Sequence, residues 1–241
     1  MDDSIYNTLV ESTDFVDKLN ILNNNLKIEL ENNKCKPTLI GNLFYDHEQM
    51  NPPFYNSPML KECEEKRIRF SKASKMRTTM FEIGLNGGHS SFLAMTANEN
   101  LTVYSNDIAE FYPPCTNIHP EIYVPEAAKT LKNLFNNRFT FIKGSCITEV
   151  PIFVKNNPKM IFDIIHIDGA KETYKQDFLN IRPLLKDNSI VIFDDSQNPA
   201  VQKLVDDFIR QGHLHRTSDF PQMNPNIKYR NEILIYTPLK I

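Results

Sequence analysis

From residue 78 onward, short apolar runs alternate with longer amphipathic stretches, a rhythm that few architectures accept. Runs at 79–83, 102–106, 139–143, 162–167 and 189–193 are rich in β-branched and aromatic residues and have strand length. The segments between them carry helical spacing, and the pattern places helices near 90–97, 125–135, 151–155, 174–185 and 199–211. Strands separated by helices must run parallel, because only a crossover of that length returns the chain to the same edge. Two closing runs, 215–220 and 232–237, have no helical pattern between them and read as an antiparallel hairpin at the sheet edge. The expected fold is α/β, with a mostly parallel seven-stranded sheet.

The first 75 residues have a different texture, polar and helical, and are expected to form an N-terminal extension or lid, with the main domain over 76–241. Ser12-Thr13-Asp14 can cap a helix whose apolar face is Phe15, Leu19, Leu22 and Leu26. Residues 34–58, rich in proline and polar turns, read as a loop. A charged helix near 59–73 follows, with Leu60, Cys63 and Ile68 on its inner side.

At 241 residues the chain can bury one sizeable core. A net charge of -3 and a pI near 6.1 give no general attraction to nucleic acid or anionic lipid, so neither partner is expected. Cys35, Cys63, Cys115 and Cys146 show no metal-ligand spacing and read as reduced thiols. The opening Met-Asp-Asp is acidic where a secretory leader would be basic. No apolar run approaches the ~20 residues that span a bilayer. A cytoplasmic location is expected, and the oligomeric state stays open.

The stretch Phe81-Glu82-Ile83-Gly84-Leu85-Asn86-Gly87-Gly88-His89-Ser90-Ser91 runs from a strand through a glycine turn into a helix. Such a turn lets backbone approach a ligand and presents the free N–H groups of a helix start. Asn86 and His89 stand where a dinucleotide fingerprint needs glycine, and the Lys of a phosphate loop is missing. The arrangement Glu-x-Gly-x-x-x-Gly-x-Ser instead resembles motif I of class I S-adenosylmethionine-dependent methyltransferases, whose fold is Rossmann-like. That resemblance implies S-adenosylmethionine as cofactor and makes Glu82, Gly84, Gly88 and Ser90 candidates for its site. The next strand ends in Asp107, placed as the acid that accepts the ribose hydroxyls in both Rossmann and methyltransferase folds. The third strand ends in Lys143-Gly144-Ser145-Cys146, where the family turns beside adenine. Ser145 is therefore a candidate, whereas Cys146 replaces the usual small polar residue.

Two further strands empty into acids: Ile164-Ile165-His166-Ile167-Asp168 and Val191-Ile192-Phe193-Asp194-Asp195. Adjacent parallel strands deliver their C-terminal ends to one edge, so Asp168, Asp194 and Asp195 can converge. Clustered carboxylates repel unless a cation neutralises them, and oxygen donors suit Mg²⁺. The pattern is similar to the catechol O-methyltransferase-like group and the metal-dependent sugar O-methyltransferases. By that resemblance the three acids are metal ligands and Lys171 takes the proton of the acceptor hydroxyl, with Asp168 beside it in the catalytic set. A depressed pKa would be needed for Lys171 to act so. The implied function is Mg²⁺-assisted O-methylation of a small hydroxylated molecule, catechol-like or a sugar. Alternatives are a metal-independent methyltransferase with structural acids, or a catalytically silent cofactor-fold protein that binds a partner. His166 reads as a hydrogen-bonded core histidine. Asn51-Pro52-Pro53-Phe54 spells an amino-methyltransferase tetrapeptide but follows no strand. The loop over 110–125 carries several aromatic residues close after Asp107.

Overall fold

The computed structural model describes residues 4–39, 43–45, 59–110 and 118–238. The Asn51-Pro52-Pro53-Phe54 tetrapeptide and residues 111–117 of the aromatic loop lie outside these. Seven strands form one sheet in the order β3-β2-β1-β4-β5-β7-β6. They are β1 (Thr79–Ile83), β2 (Thr102–Asp107), β3 (Phe139–Lys143), β4 (Phe162–Ile167), β5 (Leu185–Phe193), β6 (Leu214–His215) and β7 (Glu232–Tyr236). The first five run parallel; β7 is antiparallel to both β5 and β6, as the closing pair led us to expect. The order reverses between β1 and β4, and such a switch point opens a crevice at the strands' C-terminal ends.

Alternation along the strands splits the core into two. Met80, Val103, Ile164, Ile190 and Ile192 face one side, and Phe81, Ile83, Ile165, Val191 and Phe193 the other. The second side is covered by α6 (Cys146–Asn156), α7 (Tyr174–Ile181) and α8 (Pro199–Arg210). The first is covered by α4 (His89–Ala97) and α5 (Pro120–Phe135), together with the N-terminal α1 (Ser4–Glu11), α2 (Thr13–Asn32) and α3 (Glu64–Lys75). Ser12 caps α2 by accepting the Phe15 amide, and Phe15, Leu19, Leu22 and Leu26 are all buried, as their spacing predicts. These residues join the same core as the sheet, so the N-terminal helices have no core of their own.

Several boundaries differ from the sequence reading. Helix α5 begins at Pro120, which occupies its first turn, so residues 120–124 are helix where a loop was expected. Helix α6 starts at Cys146 because Ser145 caps it, accepting from the Ile147 amide. Strand β5 starts at Leu185, with a bulge: Leu185 and Ile190 lie opposite Phe162 and Ile164, and Asn188 adopts a φ of 67°. The sixth strand keeps only two residues, followed by a lone bridge between Thr217 and Phe220. The inner side of α3 also differs: Cys63 is buried at its start, but Lys66, Arg67, Arg69 and Phe70 are buried along it. No helix of the described residues is long and apolar enough to cross a membrane.

Candidate active site

A cavity of about 610 Å³ opens at the C-terminal ends of β1, β2, β4 and β5. Among the predicted residues, Gly84, Asp107, Ser145, Asp168, Lys171, Asp194 and Asp195 line it. Glu82, Gly88 and Ser90 do not.

Glu82 is fully buried one layer beneath. Its carboxylate accepts from Ser90 Oγ, from Ser91 Oγ at 2.6 Å, from Ser105 Oγ at 2.7 Å, and faces His166 Nδ1 at 3.1 Å. Ser105 and His166 are its register partners on β2 and β4, so one carboxylate ties three strands to the start of α4. Burial alone would lower the His166 imidazole, but Glu82 outweighs it and raises the ring's proton affinity. His166 is thus the hydrogen-bonded core residue expected of it. Gly88 serves packing and conformation: its φ is 79°, and a Cβ there would meet Leu131 Cδ1 at 2.8 Å. Glu82, Gly88 and Ser90 thus shape the turn from behind the cavity.

Gly84 faces the cavity with a φ of 96°, and a Cβ there would lie 2.3 Å from the Asp168 carbonyl oxygen. Only glycine lets the β1 turn touch the β4 turn so closely. Asp107 accepts the Asn86 amide at 2.9 Å and the Ala109 amide at 2.8 Å. Burial raises its carboxyl pKa, against the pull of those amides. The Leu85 amide is a third backbone donor to this carboxylate, which lines the cavity. Cys146, doubted as an adenine contact, lines the cavity beside Ser145 and Ile147.

At the other end Asp168 and Asp194 come together. Donor atoms of His166, Asp168 and Asp194 lie within 4.8 Å of one another, whereas Asp195 is turned toward Lys171 at 2.7 Å. Lys171 also stands 3.6 Å from Asp168. Burial would lower the Lys171 ammonium, but Asp168 and Asp195 outweigh it and raise its pKa. That is the opposite of what a neutral amine base needs, and it weighs against the proton-acceptor role expected of Lys171. For Asp168, burial and then the Asp194 charge raise the carboxyl to about 7, against the pull of Lys171.

Sequence reasoning missed Lys66. Its ammonium, 6 % exposed, lies 2.7 Å from Asp194 Oδ2. Burial would lower its pKa, but Asp194, then Asp168 and Asp195, raise it. Asp194 Oδ1 is buried with no hydrogen-bond partner among the described residues. No apolar stripe in α3 marks Lys66, and its partner lies 128 positions further along the chain, so no local signal existed. With an ammonium already on Asp194 and another on Asp195 and Asp168, the predicted ligand set does not fit a divalent ion in this arrangement.

Tyr45, Cys63 and Tyr229 complete the wall. Arg67 holds the segment before Tyr45 by donating to the carbonyls of Leu43 at 3.0 Å and Leu60 at 2.9 Å. Asn23 fixes the Tyr45 hydroxyl at 3.0 Å. The Ser196 amide on the Arg230 carbonyl at 3.0 Å brings Tyr229 to the end of β5.

Residues 81–196 match the family model described as a methyltransferase domain. That match supports the resemblance to class I S-adenosylmethionine-dependent methyltransferases carried by the glycine turn. Among solved structures of the same fold is an O-methyltransferase from Bacillus cereus in complex with SAH, at 14 % identity and a TM-score of 0.61, covering 90 % of this chain and 91 % of that one. The O-methyltransferase of tomaymycin synthesis from Streptomyces achromogenes, solved with SAM, is 14 % identical with a TM-score of 0.54, covering 72 % and 79 %. A TDP-rhamnose 3'-O-methyltransferase of calicheamicin biosynthesis is 16 % identical with a TM-score of 0.51, covering 73 % and 81 %. No curated protein matches the sequence.

Proposed function

We propose that this methyltransferase methylates a hydroxyl oxygen of a small molecule, either catechol-like or a sugar with neighbouring hydroxyls. The observation that carries the reading is one cavity lined by both Asp107 at the glycine turn and the Asp168–Asp194 acid cluster. The structural neighbours include a sugar O-methyltransferase and an enzyme of tomaymycin synthesis, which favours a small acceptor.

The residues present suit S-adenosylmethionine: Gly84 keeps the turn open for it, Asp107 offers a carboxylate, and Ser145 and Ile147 line the far wall. When bound, the cofactor supplies a methyl on a sulfonium sulfur, which keeps the electron pair as the carbon moves to oxygen. Asp168 is the group suited to take the hydroxyl proton, since its raised pKa lies near neutrality, where a base works best. Lys171 and Lys66 supply fixed positive charge beside the oxygen that becomes negative. Asp194 Oδ1, with no partner among the described residues, can accept from a neighbouring acceptor hydroxyl. A cytoplasmic location remains part of this proposal, as does a role for the N-terminal helices in walling the acceptor end of the cavity.

The test is calorimetry with S-adenosylmethionine, followed by a panel of diphenols and nucleotide sugars scored for S-adenosylhomocysteine release. Asp107→Ala should weaken cofactor binding by about 1.5 kcal/mol or more, since charge-assisted hydrogen bonds are lost. Absence of cofactor binding by the intact chain would defeat the reading, and unchanged affinity in Asp107→Ala would remove that residue from the site.

A further inference from the structure

Residues one turn apart share a face of a helix, and α3 uses that face in an unusual way. Phe70 packs against the His166 ring at 4.9 Å between centroids, and Lys66, four residues earlier, extends to Asp194. Both members of the Lys66–Asp194 pair are buried, at 6 % and 4 % side-chain exposure. An unpaired lysine there would be expensive, and an unpaired Asp194 equally so. Each is therefore the other's condition for burial.

The charge count points the same way. Asp168, Asp194 and Asp195 face the ammoniums of Lys66 and Lys171, which leaves one net negative charge. Adding a divalent ion would reverse that balance. It would also set the ion beside an ammonium already 2.7 Å from Asp194 Oδ2. Two like charges sharing one buried carboxylate repel strongly at such separations. Asp194 Oδ1 and the Asp168 carboxylate remain, but the Lys66 and Lys171 ammoniums already neutralise most of the charge with which such oxygens would hold a hard cation.

We propose that Lys66 is this protein's own cation: its ammonium stands where an acid cluster of this pattern would otherwise hold Mg²⁺, and the site works with no bound divalent ion. The inference rests on reading the cluster as the acceptor end of the cavity. No change of bonding is involved; Lys66 neutralises Asp194 and lends positive charge to the oxygen that loses its proton.

The experiment uses the full chain stripped of metal, with Mn²⁺ as probe, followed by electron paramagnetic resonance. Wild type should leave the free Mn²⁺ signal unchanged. Lys66→Met keeps the stem but bares Asp194, and should bind Mn²⁺ at least about 10-fold more tightly than wild type. The double variant Lys66→Met with Asp194→Asn should lose that binding again. Mn²⁺ bound by wild type and released by Asp194→Asn would overturn the proposal, as would a folded Lys66→Met with no gain. If melting shows that Lys66→Met does not fold, wild type against Asp194→Asn decides: binding by neither supports the proposal, binding by wild type alone overturns it. S-adenosylmethionine calorimetry on the same samples keeps the readings apart, because its failure would defeat the methyltransferase assignment whatever Mn²⁺ does.

Discussion

Asp168 and Lys171 lie three positions apart, and each is a candidate for the same proton. Their surroundings separate them. Lys171 faces two carboxylates and holds its proton more firmly than a free lysine, whereas Asp168 sits half-buried beside Asp194 and gains affinity for one. Asp168 must be ionised to act as base, so wild-type turnover should rise as pH increases through about 7. Asp168→Asn should lower turnover by on the order of 10²–10⁴-fold while cofactor binding persists, with partial recovery at alkaline pH as the acceptor ionises unaided. Lys171→Met should also be slower, but without alkaline recovery, because it loses a fixed charge and not a base. Rate–pH profiles of the two variants decide; recovery confined to Lys171→Met would return the proton to the lysine. The acids themselves were legible in the sequence because apolar strands ending in carboxylates announce where side chains must emerge. Their partners were not. Ion pairing across the fold, such as Lys66 with Asp194, leaves no local mark.

At the scale of elements, β1 to β4 were legible almost to the residue, and β4, buried at every position, reads as a nearly continuous apolar run. Helix starts were less so. Pro120 and Ser145 are ordinary first-turn and capping residues, yet each follows a segment that carries loop signals as well. The bulged start of β5 was hidden because Asp187-Asn188 reads as a turn, and Asn188 does adopt a left-handed conformation within the strand. The two glycines of the β1–α4 turn illustrate how similar sequence signals diverge in space. Both have positive φ, but Gly84 abuts backbone at Asp168, whereas the close contact at Gly88 is the end of the Leu131 side chain. Gly88→Ala should cost about 1 kcal/mol, the strain of a left-handed residue, and leave activity largely intact. Gly84→Ala adds a backbone collision that Leu131-type movement cannot relieve, and should cost roughly 2–3 kcal/mol or more. It should also displace Asp168, so turnover should fall more than the loss of stability explains. Thermal melts paired with rates would show it; equal penalties for the two variants would contradict this account of the turn.

Across the whole molecule, residues 1–75 look like an appendage in sequence, yet their described helices pack as a layer on the sheet's core. Helix α2 inserts Phe15, Leu22, Leu26 and Leu30 into the core that also contains Met80, Phe92 and Ile164. Phe15 meets Phe92 edge-on at 5.1 Å, and Asn23 hydrogen-bonds buried His89 at 2.8 Å. Burial lowers the His89 pKa to about 3, so this contact is made by a neutral ring at the mouth of the glycine turn. The same N-terminal region then sends Tyr45, Cys63 and Lys66 into the cavity wall. Covering the site and completing the core are thus one arrangement. A detachable lid would leave a stable remainder when removed; this layer should not. Each large aliphatic side chain withdrawn from a packed core costs about 2–5 kcal/mol, and native domains hold only about 5–15 kcal/mol in total. Deleting residues 1–32 should therefore abolish cooperative unfolding of the remainder and expose apolar surface to a hydrophobic dye. Leu26→Ala, a milder change at the same interface, should fold with a lowered melting temperature and retain cofactor binding. A truncated chain that melts cooperatively near the wild-type temperature would show that the sheet and its remaining helices suffice, and that the N-terminal layer is a lid after all.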